Sequence, residues 1–354
     1  MSDWKLKYSY KYDLAGFCNL FTRSENLIEL HKEGYDSFLD MIDARQDLVE
    51  LAQGMQQAGF DPRVILVSVF DMVDHHGSDI DVLCSLMDQP EKRERLKRYY
   101  VEEEQLVTGD VWHSNVEPLL PLLSNMVRYV HEQGFHGYWK EECEPRLKSR
   151  IEEFKGPAEE YDVVAEINAL LGPEYHLSMD EVTLYVSQFS APFGTKLRGQ
   201  SFLADARWKF ENMVAIALHE LIHPPFSRSR IEEIAEYLWD DDLLQEAFRA
   251  QPQSTTYNTP LRFLEEHLTE GAHVYLAEKM GVLDEPLKYL AEHDDGSHVV
   301  SVILYHRLKS GIMDRFDSLE GAVEQMVEDG TLVPGDLRKG YRDIYAAAGL
   351  EAPF

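Results

Sequence analysis

From about residue 24 to 168, apolar side chains recur at three- and four-residue spacing, as in Leu27, Leu30, Tyr35, Phe38, Met41 and Ile42, and alternating runs are few. That period belongs to helices with one buried face. It predicts a helical N-terminal domain over residues 1–168, with further helices near 44–58, 62–75, 90–107, 116–133 and 140–154.

Around residue 180 the texture changes. Val182-Thr183-Leu184-Tyr185-Val186-Ser187-Gln188-Phe189 is rich in β-branched and aromatic residues and short for a helix, which predicts a strand. The turn-forming Ala191-Pro192-Phe193-Gly194 follows, and Lys196 to Ala204 reads as a second strand, giving a small antiparallel sheet. After residue 208 the helical pattern returns almost to the end, interrupted by a polar connection within Asp240–Thr259. The expected fold is α+β, predominantly α, with a second domain over 169–354 made of the sheet, one apolar helix and a C-terminal helical subdomain.

Composition narrows the class. The chain has 354 residues, 44% of them hydrophobic, with no apolar run long enough to span a membrane and no internal repeat. Met1 to Lys7 lacks the apolar core of at least roughly seven residues that a secretory signal needs, so the expected address is the cytoplasm. Cys18, Cys84 and Cys143 are odd in number and far apart, and read as buried or idle thiols. A net charge of -30 disfavours nucleic acid, whose binding rests on Lys and Arg, and the expected partners include neither nucleic acid nor membrane.

The chemistry concentrates in His219-Glu220-Leu221-Ile222-His223. Four residues apart on a helix, the two histidines share a face and can present ring nitrogens to one ion, with Glu220 beside them. Two neutral imidazoles leave a metal cationic enough to acidify a water, and the adjacent carboxylate can take its proton. The apolar run from Phe210 to Leu218 predicts a buried helix leading into the motif, and Pro224 and Pro225 should end it just after His223. A chain of this length and composition meets HExxH by chance about one time in twenty, so context matters.

Catalytic zinc usually has three protein ligands. The leading third candidate is Glu270, on a helix signalled by Thr259 as N-cap, Pro260 at its first position and Gly281 past its end. On that helix Glu266, Glu270 and His273 line one face, and Glu266 is the fallback ligand one turn earlier. His75-His76-Gly77-Ser78-Asp79 reads instead as a turn, because adjacent side chains rarely converge on one ion.

The motif, followed by Thr269-Glu270-Gly271-Ala272-His273-Val274-Tyr275, resembles the gluzincin metallopeptidases, most closely their aminopeptidase-like branch. The resemblance covers roughly residues 180 to 310. It implies a zincin-like catalytic domain, Zn2+ held by His219, His223 and Glu270, Glu220 as general base, and a peptide or protein substrate laid along a sheet edge. The branch uses a Tyr for the oxyanion. In the similar segment His293-Asp294-Asp295-Gly296-Ser297-His298 a His stands at that place, making His293 the candidate oxyanion stabiliser, with His298 and Tyr305 as rivals. No Gly-Ala-Met-Glu-Asn-like segment for gripping a free amino terminus is present, so aminopeptidase specificity is not implied.

The expected function is hydrolysis of peptide bonds by metal-activated water. The alternatives are a catalytically inactive gluzincin-like metal-binding protein acting in binding or regulation, and a helical interaction protein with an accidental motif.

Overall fold

The computed structural model describes residues 3–75, 77–103, 106–178, 181–190, 194–252 and 257–354. His76, the Ala191-Pro192-Phe193 turn and Gln253 to Thr256 of the polar connection lie outside them. The fold is mostly helical, with one small mixed sheet. Among the described residues no helix is long and apolar enough to cross a membrane.

Four strands form the sheet: β1 (Asp3–Lys7), β2 (Glu181–Ser187), β3 (Thr195–Leu197) and β4 (Ser201–Asp205), in the order β1-β2-β4-β3. The expected second strand is a hairpin of two. Its antiparallel arms pair Thr195 with Leu203 and Leu197 with Ser201, and β4 then runs parallel to β2, Thr183 opposite Ser201 and Ser187 opposite Asp205. The sheet is therefore mixed rather than antiparallel. Burial explains the order: Phe202, Leu203 and Ala204 are buried and take the interior position, whereas β3, with half-buried Thr195 and Lys196, forms an edge.

The chain divides into two compact units, each discontinuous in sequence. One comprises Met1–Lys5, Gly156–Val182 and Lys209–Phe354, the other Leu6–Lys155 and Thr183–Trp208. A boundary at 168 would cut the helix Val163–Leu171, whose buried Val164, Ile167 and Leu171 belong to the first unit and pack with the helix Phe210–Ile222.

The second unit is organised around the helix Tyr10–Cys18, in which every residue is buried. Its Asp13 explains why residues 183–208 group with the N-terminal helices. One carboxylate oxygen accepts hydrogen bonds from Ser187 Oγ (2.6 Å), Gln188 N (2.7 Å) and Phe189 N (3.0 Å), and the other from Trp139 Nε1 (2.6 Å). A buried carboxylate needs such satisfaction, and here the end of β2 supplies most of it. Helices Gln46–Gln57, Pro62–Met72, Pro90–Arg98, Leu120–Val130 and Glu144–Ala158 match the predicted ones in place. The stretch around Leu27 to Ile42 breaks into Glu25–Leu30, Lys32–Ser37 and Leu39–Asp43, which together bury only Gly34, Tyr35 and Ile42. Asp79 N-caps the helix Ile80–Asp88, accepting from the backbone N–H of Asp81 and Val82. All three thiols are buried, and burial pushes each above its ordinary pKa, Cys84 up to about 11.

The first unit packs its helices around Pro260–Lys279, here called the carboxylate helix, against which lie Phe210–Ile222 (the motif helix), Arg228–Leu238 and Val299–Lys309. Its ends are where the sequence sets them. Thr259 Oγ1 accepts from Arg262 N (3.2 Å), Pro260 opens the helix, and Gly281 beyond its end adopts φ 72°. Gly271 lets the helix Val299–Lys309 approach: a Cβ there would lie 2.9 Å from the Ser301 carbonyl oxygen and 3.1 Å from Leu304.

Candidate metal centre

The motif helix carries two stripes. Phe210, Met213, Val214, Ala217, Leu218, Leu221 and Ile222 form a fully buried face, and His219 and Glu220 lie on the half-buried one with Ala215 and Ile216. The helix is thus buried along one face, and that face anchors the other. It ends at His223, ahead of the two prolines.

Every residue of the carboxylate helix from Phe263 to Val274 is buried, among them Glu265, Glu266, His267, Glu270 and His273. Five ionisable side chains in twelve buried residues are tolerable only if they pair with one another or hold an ion. Four of them, Glu265, Glu266, Glu270 and His273, meet the histidines of the motif, and His267 instead accepts a hydrogen bond from Val300 N.

His219 Nε2 and His223 Nε2 face each other at 3.2 Å. Glu266 completes the triangle, Oε1 3.4 Å from His219 Nε2 and Oε2 3.3 Å from His223 Nε2. Donors bonded at about 2.0–2.1 Å to a tetrahedral ion stand roughly 3.3–3.4 Å apart, the range of each of these contacts, which Glu266 makes through a different oxygen to each ring. The other ring nitrogens are held from behind. His219 Nδ1–H donates to Glu270 Oε2 (2.9 Å), and His223 Nδ1 lies 3.3 Å from Thr269 Oγ1 and 3.5 Å from Glu265 Oε1. When an ion displaces the Nε2 proton, the Nδ1–H held by Glu270 leaves the Nε2 lone pair facing His223 and Glu266, the tautomer that metal ligation requires.

The charges agree. Burial alone would lower the His219 pKa, yet Glu266, Glu270 and Glu220 push it up to about 10. Burial would raise Glu266, yet His219 and His223 hold it down to about 2. Glu270 is held well below the usual carboxylate range against its burial, first by His273 and then by His219. The pocket stabilises positive charge at its centre, as protons or as a cation.

Of the residues read from the sequence, His219, His223 and the fallback Glu266 form one group able to hold an ion. Glu270 lies with His219 and His273 in another, on the far side of the His219 ring. Glu220 is half-buried beside them, no hydrogen bond from another described residue reaches it, and its charge is felt at His219 and Tyr257. His293 stands instead with Asp294 and His298, stacked on Tyr289 at 5.1 Å. His298 is buried with its Nε2 on Asp294, and the Tyr305 hydroxyl is engaged by Glu278 (2.9 Å).

Two side chains had no signal in the sequence beyond residue type. Burial, then the charges of Glu266, Asp294 and Glu220, keep the Tyr257 phenol protonated, and burial and Glu270 do the same for Tyr289. Tyr257 is thereby a hydroxyl donor, hydrogen-bonded to Glu266 of the ligand group and within electrostatic reach of Glu220. Comparison of the chain with protein-family models, with curated proteins and with solved structures found no match.

Proposed function

We propose that the protein is a zinc-dependent peptidase of the gluzincin kind, its ion held by His219, His223 and Glu266. The observation that carries this reading is the mutual spacing of their donor atoms, 3.2–3.4 Å, with a half-buried carboxylate one residue along the motif. Two imidazoles and a carboxylate are a donor set suited to catalytic zinc, with a position left for water. When bound, the ion supplies Lewis acidity that lowers the pKa of a water and polarises a carbonyl.

This chain's own groups do the rest. Glu220 takes one proton from the attacking water as the oxygen bonds to the carbonyl carbon, and delivers it to the leaving nitrogen as the C–N bond breaks. The Tyr257 hydroxyl is the donor available to the developing oxyanion, in place of the His293 suggested by sequence. Glu270 does not ligate in this reading. It is a positioning residue that fixes the tautomer and orientation of His219. The substrate is a peptide or protein, and the zincin-like resemblance of residues 180–310 is part of the same proposal.

Digestion of a peptide library, followed by mass spectrometry, tests it. Glu220→Gln should lower turnover by about 10²–10⁴-fold while zinc content stays unchanged. Cleavage unaffected by Glu220→Gln removes the general base, and a zinc-loaded wild type that cuts no peptide moves the chain to the non-catalytic, metal-binding alternative.

A further inference from the structure

Past the end of the helix Pro286–Glu292, a second trio converges. Asp294 Oδ2 lies 3.2 Å from His298 Nε2 and 4.0 Å from His293 Nε2. The two imidazole rings stack at 5.2 Å and 23°, with Asp294 Oδ2 hydrogen-bonded to one Nε2 and near the other. One ligand atom from each of the three residues falls within 4.8 Å of the others.

The arrangement is held in place. Asp294 and Asp295 adopt φ 44° and 55°, left-handed conformations that cost about 1–3 kcal/mol each for a non-glycine residue and persist where the surroundings impose them. Tyr289 covers the other face of the His293 ring, nearly parallel to it at 14°. The His298 side chain is 2% exposed, and its buried Nδ1 has no hydrogen-bond partner among the described residues. An ordinary Asp–His ion pair accounts for one imidazole. It does not require a second ring aimed at the same oxygen.

We propose that His293, Asp294 and His298 form a second site for a divalent transition-metal ion, separate from the group of His219, His223 and Glu266. Two imidazoles and a carboxylate favour zinc, cobalt or nickel over magnesium or calcium, which prefer all-oxygen shells. The side chain of His293 is 37% exposed, which gives the ion an entry path and leaves room for water or an incoming ligand.

The test counts zinc. Full-length protein is stripped with a chelator, titrated with Zn2+ alone, freed of excess and assayed for bound metal, with circular dichroism confirming that each variant is folded. Wild type should hold two equivalents, Asp294→Asn one, and His219→Ala/His223→Ala one. Asparagine is chosen because it tolerates the left-handed conformation and removes only the charge and ligand strength. His293→Gln, at a half-exposed position, should also drop the count to one. A wild-type count of one that His219→Ala/His223→Ala abolishes overturns the second site and leaves the first. A count of one abolished by Asp294→Asn instead supports the second site and removes the first. Two equivalents retained in both Asp294→Asn and His293→Gln overturn the proposal.

Discussion

His219 is charged by its neighbours against its burial, and this has a consequence for the metal-free protein. Its folded-state pKa, about 10, lies above the ordinary 6.5, so its protonation contributes stability that is fully present below pH 6.5 and lost as the pH rises to about 10. Chelator-treated protein should therefore melt at progressively lower temperature across that window, and His219→Gln should flatten the profile. Equal slopes in the two proteins would contradict the assignment of charge to this ring. At the same scale, residue type and spacing bring Glu266 and Glu270 to one face of one helix, but periodicity cannot rank two carboxylates a single turn apart. The ring orientation of His219 separates them, because Glu266 meets its Nε2 and Glu270 its Nδ1.

Helices with strong end signals were legible. Thr259, Pro260 and Gly281 bracket the carboxylate helix, and Pro224 with Pro225 follow the motif helix, because caps and prolines act locally. The helix Tyr10–Cys18 escaped because it is buried on all sides and so carries no amphipathic period, while Lys11 and Asp13 disguise its interior position. The sheet order escaped because β4, rather than β3, lies beside β2, a pairing that depends on burial of non-local segments. The close approach at Gly271 is likewise a tertiary fact, and it sets an element-scale prediction. Gly271→Ala improves helix propensity by about 1 kcal/mol. It should nonetheless destabilise the protein by about 1–3 kcal/mol in denaturant unfolding, because the new Cβ meets the Ser301 backbone oxygen, which cannot rotate away. A more stable alanine variant would mean that the two helices do not pack this closely.

For the whole molecule, the mainly helical α+β class followed from the change of period near residue 180, but the division into units did not. A linear reading joins neighbours in sequence, whereas the Asp13 carboxylate gathers Ser187, Gln188 and Phe189 from about 175 residues away. All the donors of the proposed centre belong to one unit, drawn from two of its helices. In the proposed centre this unit would ligate zinc through Glu266 and only support it through Glu270. Zinc affinity, measured by competition with a chromophoric chelator in an Asp294→Asn background that isolates the motif site, tests it most directly. Glu270→Gln should bind zinc about 10–100-fold more weakly, as loss of a supporting carboxylate does, and Glu266→Gln should lose more than that. Glu266→Gln binding like the parent, or Glu270→Gln losing the ion while Glu266→Gln keeps it, would contradict the assignment.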